Sequence, residues 1–376
     1  VTLPADAAAA LLREPVGNPV DQEGLRVRVN EALAEFMDRQ EVLLAKISPQ
    51  LVEASSALRD FLLDGGKRLR PAFCYWGWRG AGGPVGADGI VAAATALELL
   101  QASALIHDDL MDRSDTRRGL PSVHRRFEAL HRAGGWRGDR AQYGTAAAVL
   151  LGDMLLCWCD ELFLRCGLDP AAVLAAKPVF DLMRTEVMAG QYLDVLEPVA
   201  GDSMGEGAAD RALAVVRYKS AKYTVERPLQ VGAVLAGAGP ALLEAYSAFG
   251  LPLGEAFQLR DDQLGVFGDP AVTGKPAGDD LREGKRTLLV ALAMESCAPA
   301  EARLLDERLG APDLEPAEVE RLRGIIARSG AADRVEQRID ALLGEALAAL
   351  EAAPLADGQA RDTLRALASA ATTRRY

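Results

Sequence analysis

IVAAATALELLQASALIHDDLMDRSDTRRG, residues Ile90 to Gly119, is the stretch whose reading decides the fold. It starts as a long run of alanine and leucine with no period-two alternation, which at this length reads as a buried helix. Glu98 and Gln101 interrupt the run, and a mid-helix carboxylate costs about 2.5–3.5 kcal/mol on insertion scales, so a core helix is expected here and not a membrane span. The run then ends in acid. Asp108 and Asp112 are four residues apart and project from one helix face. Carboxylates that close repel each other, and acid at a helix C-terminus opposes the macrodipole. A hard divalent cation such as Mg²⁺, which keeps waters and borrows phosphate oxygens from a substrate, resolves both conflicts. Asp109 lies about 100° round the helix and is expected to support, not ligate. Arg117 and Arg118 follow at once as anion clamps.

The same pattern recurs in FQLRDDQLGVFGDPAVTGKPAGDDLREGKRT, Phe257 to Thr287. An apolar helix runs into Asp261 and Asp262, and Lys275 and Lys285 follow in glycine-rich loops. The TGK triplet lacks the rest of a phosphate loop. A third element, GGKRLRP from Gly65, sets Lys67 and Arg70 three apart at a helix start, where backbone N–H groups favour phosphate. Two diphosphates carry about −3 each near neutral pH. Seven bases (Lys67, Arg70, Arg117, Arg118, Lys219, Lys275, Lys285), with metal drawn in by the aspartates, suit two such substrates better than one.

Bulk properties narrow the class. The 376 residues carry a net charge of −12, which argues against general affinity for nucleic acid or an anionic membrane. Alanine is abundant and aromatics are sparse, which favours helices. Three histidines make a zinc enzyme a poor reading. Five cysteines form no disulfide framework, and Cys157 and Cys159 are read as buried structural thiols. The N-terminus lacks the basic and apolar regions of a secretory signal, so a cytoplasmic protein is expected. Residues 1–23 read as a loose leader, and 24–376 as one all-α domain of about a dozen helices around a central cavity. Helices are expected over Leu25–Ile47, Ile90–Asp112, Ala146–Cys166, Ala171–Leu193, Ala209–Leu235 and Leu242–Leu264, with a solvated loop from His131 to Gly144.

With these pieces in order, the chain resembles the trans-isoprenyl diphosphate synthases, the polyprenyl synthetase family. The resemblance rests on GGKRLRP, HDDLMD with RRG, LLGDMLL (Leu150–Leu156), GQYLD (Gly190–Asp194), the Lys219-Ser220-Ala221 triplet, FQLRDD and TGKPAGDDLREGKRT. It implies an isoprenoid synthase bundle, a homodimer, and head-to-tail condensation of isopentenyl diphosphate with an allylic diphosphate. It further implies that Asp108, Asp112 and Asp261 hold three Mg²⁺ on the allylic diphosphate, which Arg117, Lys219 and Lys275 grip with Lys285 nearby. Lys67, Arg70 and Arg118 would bind isopentenyl diphosphate, aided by Gln101 in a place where relatives often carry histidine. Ser220 and Gln258 offer oxygen dipoles to the carbocation and no nucleophile to trap it. The second acidic motif ends in Gly265, where the family usually has a third aspartate, and Asp261 with waters is expected to suffice.

Product length is read from the helix below Asp108. Ser103 and Ala104 are small, and Leu100 and Leu97 lie about 12 and 16 Å further down. That predicts geranylgeranyl diphosphate, with farnesyl diphosphate or a longer polyprenyl chain as alternatives. Two rivals stay open at this point: a class I terpene cyclase, for which GGKRLRP and Arg118 would have no purpose, and a non-catalytic subunit of a heteromeric synthase.

Overall fold

The computed structural model describes residues 18–200, 207–269 and 278–372. Lys275 and residues 1–17 of the expected leader lie outside them. The described chain is all-α apart from one two-stranded ribbon. Its helices are α1 (Leu25–Ile47), α2 (Val52–Leu63), α3 (Leu69–Gly80), α4 (Asp88–Met111), α5 (Val123–Ala133), α6 (Arg140–Leu164) and α7 (Pro170–Ala200). There follow α8 (Ala208–Val215), a π-helical segment (Val216–Glu226), α9 (Arg227–Leu235) and α10 (Pro240–Phe267). The rest are α11 (Asp279–Glu283), α12 (Leu288–Ser296), α13 (Pro299–Arg308), α14 (Pro316–Arg328), α15 (Ala331–Ala352) and α16 (Gly358–Thr372).

Two apolar cores form, and α10 threads both. Phe249 and Leu253 join the larger core with α1, α3, α4, α6, α7 and α9. Ala256, Leu259 and Val266, further along α10, join the smaller one with α12, α14 and part of α15. Helix α4 is long and apolar enough to cross a membrane, yet it is packed mostly inside the bundle, chiefly against α6. The carboxylate that interrupts it, Glu98, pairs with buried Arg68 at 2.6 Å. A charge at that depth is tolerated because it is paired and hydrogen-bonded.

Three sequence expectations need correction. Asn18 caps a short 3₁₀ turn, Pro19–Gly24, so the end of the expected leader is folded. The cause is Arg79, a buried guanidinium that takes partners from both chain ends, Glu23 and Asp357. The expected loop from His131 to Gly144 shrinks to a short link, because His131, Trp136 and Tyr143 pack as an aromatic cluster. Asp139 then caps α6 by accepting from the Ala141 N–H at 2.8 Å. Cys159 is buried, but Cys157, two residues earlier on the other side of α6, is exposed.

The helix expected over Ala209–Leu235 is continuous but not uniform. Its centre is an eleven-residue π segment that carries Lys219 and Ser220. Wide helical turns are rare and concentrate at functional positions. This one is held between two helices at glycines: a Cβ at Gly190 of α7 would overlap the backbone of Tyr218 and Lys219, and one at Gly254 of α10 the backbone of Ala221. Gly190→Val is therefore expected to lower the unfolding free energy by about 1–3 kcal/mol, the usual cost of overpacking a close contact. Thermal denaturation measures it, and an unchanged Tm would show that α7 and the π segment are not held this closely.

Candidate active site

Towards its acidic end each of the two helices carries a half-exposed stripe. On α4 it comprises Gln101, Ala104, Leu105, Asp108 and, at the C-cap, Asp112, while Ser103, Ile106 and Asp109 are buried. On α10 it comprises Phe257, Gln258, Asp261, Leu264 and Gly265, while Asp262 and Gln263 are buried. These are helical spacings. Of each aspartate pair, the first member reaches open space and the second is turned into the protein.

Asp108 is the meeting point of three elements. Its Oδ1 accepts from Gln191 Nε2 of α7 at 3.0 Å and from Lys219 Nζ of the π segment at 3.1 Å. Lys219 also donates to Asp194 at 2.6 Å. Burial alone would raise the Asp108 pKa, but Lys219, Lys285 and Arg117 outweigh it and hold the carboxyl well below the usual carboxylate range. Gln191 and Asp194 belong to the GQYLD stretch. Their spacing of three on one helix face was a signal available in the sequence that the expected roles did not use.

Arg117 and Arg118 are separated by a small hairpin. β1 (Thr116–Arg117) pairs antiparallel with β2 (Leu120–Pro121) across Arg118 and Gly119, both at positive φ, as a two-residue turn of the mirror-image type requires. Arg117 turns inward: its Nε donates to Asp109 at 2.9 Å, and Nη2 lies 3.4 Å from Asp108. Arg118 turns the other way and donates to the Asp64 carbonyl at 2.9 Å, against Gly65 and Gly66. Lys67 is exposed in that same loop, just before α3, and Arg70 lies in the first turn of α3. Arg70 donates to Thr224 Oγ1 at 2.8 Å and stacks over the Tyr223 ring at 4.2 Å. The Tyr223 hydroxyl in turn donates to Gln101 Oε1 at 2.7 Å.

Lys285 links the end of α4 to α11. Its ammonium lies 3.4 Å from Asp112 at the end of α4, 3.8 Å from Asp280 and 2.6 Å from Glu283 on α11. Asp280 in turn sits against Gly265 of α10. Burial, and then the neighbouring Asp108, pushes Asp112 up to about 6. Burial with the charges of Asp280 and Asp261 pushes Asp262 up to about 8. Gln258 donates to Asp262 Oδ1 at 2.7 Å, which commits its amide nitrogen and leaves its carbonyl as the polar end available to the cleft. Ser220 is buried beside Lys219, and Ser103 and Leu100 are buried below the half-exposed Ala104.

The donor set fits Mg²⁺. Asp108, Asp112 and Asp261 offer hard carboxylate oxygens from accessible faces, and the raised Asp112 pKa marks a like-charge conflict that a cation relieves. Among the described residues no three acidic or soft ligands stand close enough to cage an ion alone. That suits a metal completed by water and substrate phosphate.

An acid-tipped α4 linked by Lys285 to the segment that packs on acid-tipped α10, with Arg117 and Arg118 turned to opposite sides of the hairpin, suits an all-helical enzyme of the trans-prenyltransferase class. The polyprenyl synthetase family matches residues 52–326. A geranylfarnesyl diphosphate synthase of Aeropyrum pernix is 33% identical over 316 residues, 83% of this chain and 92% of the relative. A farnesyl diphosphate synthase of Mycobacterium tuberculosis is 35% identical over 239 residues, 64% of this chain and 60% of the relative. A geranylgeranyl pyrophosphate synthase from Corynebacterium glutamicum, crystallised with isoprenyl diphosphate and magnesium, superposes with a TM-score of 0.89 at 41% identity, covering 94% of this chain and 99% of that one. The chain belongs to the polyprenyl synthetase family.

Lys285 meets Asp112, Asp280 and Glu283 at once. Lys285→Ala is expected to destabilise the metal-free protein by about 3–5 kcal/mol, the usual cost of removing one partner from a buried ion pair. Added Mg²⁺ should raise the Tm of this variant more than that of the wild type. Equal Mg²⁺ shifts in a differential scanning experiment would show that Lys285 and the metal do not answer the same charge.

Proposed function

We propose that the enzyme condenses isopentenyl diphosphate head to tail with an allylic diphosphate and releases mainly geranylgeranyl diphosphate. The observation that carries this reading is the division of the adjacent arginines. Arg117 turns to the acidic cluster and Arg118 to the loop that holds Lys67, which supports reading two anion sites, one on each side of the hairpin. A terpene cyclase takes one diphosphate and has no use for the second site.

In this reading Lys219, Arg117, Lys275 and Lys285 grip the allylic diphosphate, and Lys67, Arg70, Arg118 and Gln101 grip isopentenyl diphosphate. Asp108, Asp112 and Asp261 would hold Mg²⁺, three ions in this reading, which would supply positive charge to stabilise the leaving diphosphate. Lys219 and Arg117 are fixed by Asp194 and Asp109 before substrate arrives, so little reorganisation is needed as negative charge develops on the leaving oxygen. The Gln258 carbonyl and the Ser220 hydroxyl present oxygen dipoles to the allylic cation. No histidine stands among the residues assigned here, and the final proton goes to the departing diphosphate.

Ala104 on the accessible stripe lets the growing chain pass the first turn below Asp108, and Leu100 and Leu97 beneath it set the limit. The relatives named above span three chain lengths, so the product reading is drawn from these side chains and not from the likeness. We further assign a second copy of the chain to the apolar face formed by Val149, Leu150 and Leu164 of α6 with Leu182 and Met188 of α7, all exposed. The cytoplasm is the assigned compartment.

Chromatography of products from each allylic primer with isopentenyl diphosphate tests the reaction. Geranylgeranyl diphosphate should dominate, and diphosphate release without isopentenyl diphosphate would favour the cyclase. Ala104→Phe should shorten the product, and an unchanged distribution would remove the Ala104 argument. Asp108→Asn is expected to lower kcat by about 100- to 1,000-fold, as for loss of one group that stabilises transition-state charge. Leu150→Glu should shift the mass in light scattering from dimer to monomer.

A further inference from the structure

The second acidic helix lacks a side chain where its accessible stripe comes to the metal-side end. Gly265 is one turn beyond Asp261 on the same face of α10. Glycine is a poor choice inside a helix, and here space dictates it. A Cβ built at residue 265 would overlap Oδ2 of Asp280, with Oδ1 only 2.9 Å away. The place that a residue-265 side chain would take is filled by a carboxylate from α11.

We propose that Asp280 is a positioning and ligand residue of the prenyl-transfer site, its carboxylate standing in for the acidic side chain that Gly265 omits. This deepens the reading above and rests on it. The placement has three parts. The Asp280 carboxylate lies on the stripe that carries Gln258 and Asp261. It lies 3.8 Å from Lys285, whose ammonium also meets Asp112, so it faces the first acidic cluster across the cleft. Its own helix is only five residues long and is flanked by Gly278 and Gly284, both at positive φ, a tight geometry that aims the carboxylate at α10. The acid is thus supplied by a neighbouring segment and not by the helix that bears Asp261. Gly265 and Asp280 form a compensating pair: either position can carry the carboxylate, but both cannot hold one in the present backbone.

Calorimetric titration of Mg²⁺ into the full-length protein with inorganic pyrophosphate tests this without turnover. Asp280→Asn is expected to weaken Mg²⁺ binding by about tenfold or more, as for groups that orient metal ligands. Gly265→Asp alone should lower the Tm, because its Cβ meets Asp280. The exchange variant Gly265→Asp/Asp280→Gly should recover most of the metal affinity that Asp280→Gly loses, with a Tm above that of Gly265→Asp. Wild-type affinity in Asp280→Asn, or an exchange variant that binds no better than Asp280→Gly, would overturn the proposal and leave the prenyl-transfer reading intact. Wild-type protein that binds no Mg²⁺ with pyrophosphate would overturn both.

Discussion

Carboxylates gathered at the ends of two buried helices oppose folding twice over, through desolvation and through mutual repulsion, and the helix dipole adds to the conflict at Asp112. The rest of the site can be understood as the answer to that charge. Lys219 and Arg117 neutralise Asp108, with Asp194 and Asp109 holding them in place. Lys285 spans the remaining gap from Asp112 to α11. The compensation is uneven, and that unevenness is informative. Asp108 is kept ionised, whereas Asp112 is pushed up to about 6 by burial and then by the neighbouring Asp108. The cleft therefore keeps a demand for further positive charge, which suits a site that has to recruit metal along with an anionic substrate.

Two local devices translate that demand into geometry. The π segment is wide and tightly clasped, so Lys219 reaches Asp108 from a backbone that touches α7 on one side and α10 on the other. The hairpin at Arg117 and Arg118 reverses direction in two residues, which sends adjacent side chains to different partners, Asp109 and the Asp64 carbonyl. A continuous helix would have placed them about 100° apart on one surface. Tyr223 ties the second site back to α4, since its ring carries Arg70 and its hydroxyl orients Gln101. The two sides of the hairpin are thus connected through the buried Tyr223, and not through exposed loops alone.

Much of this was legible from residues. Apolar runs of helical length ending in acid identified α4 and α10, because burial and periodicity are local properties of a chain. Leu25–Ile47 was readable to its ends, since the break at Ser48 and Pro49 is encoded locally. Asp109 as a supporting carboxylate also follows from helical angle alone. The failures share a cause. His131, Trp136 and Tyr143 shortened an expected loop because aromatic packing overrides the loop signal of glycine and arginine. The end of the leader folded because Arg79, far along the chain, required partners.

The amino-acid order by itself determined the helical class, the two acidic helix ends and the supply of bases around them, since these depend on spacing within single segments. Only the tertiary structure decided which base meets which acid. Lys285 joins segments that are distant in sequence, the hairpin parts two neighbouring arginines, and the room left by Gly265 is taken by Asp280. Such pairings depend on close packing between elements, where a missing side chain on one helix becomes space for another, and no local pattern encodes that.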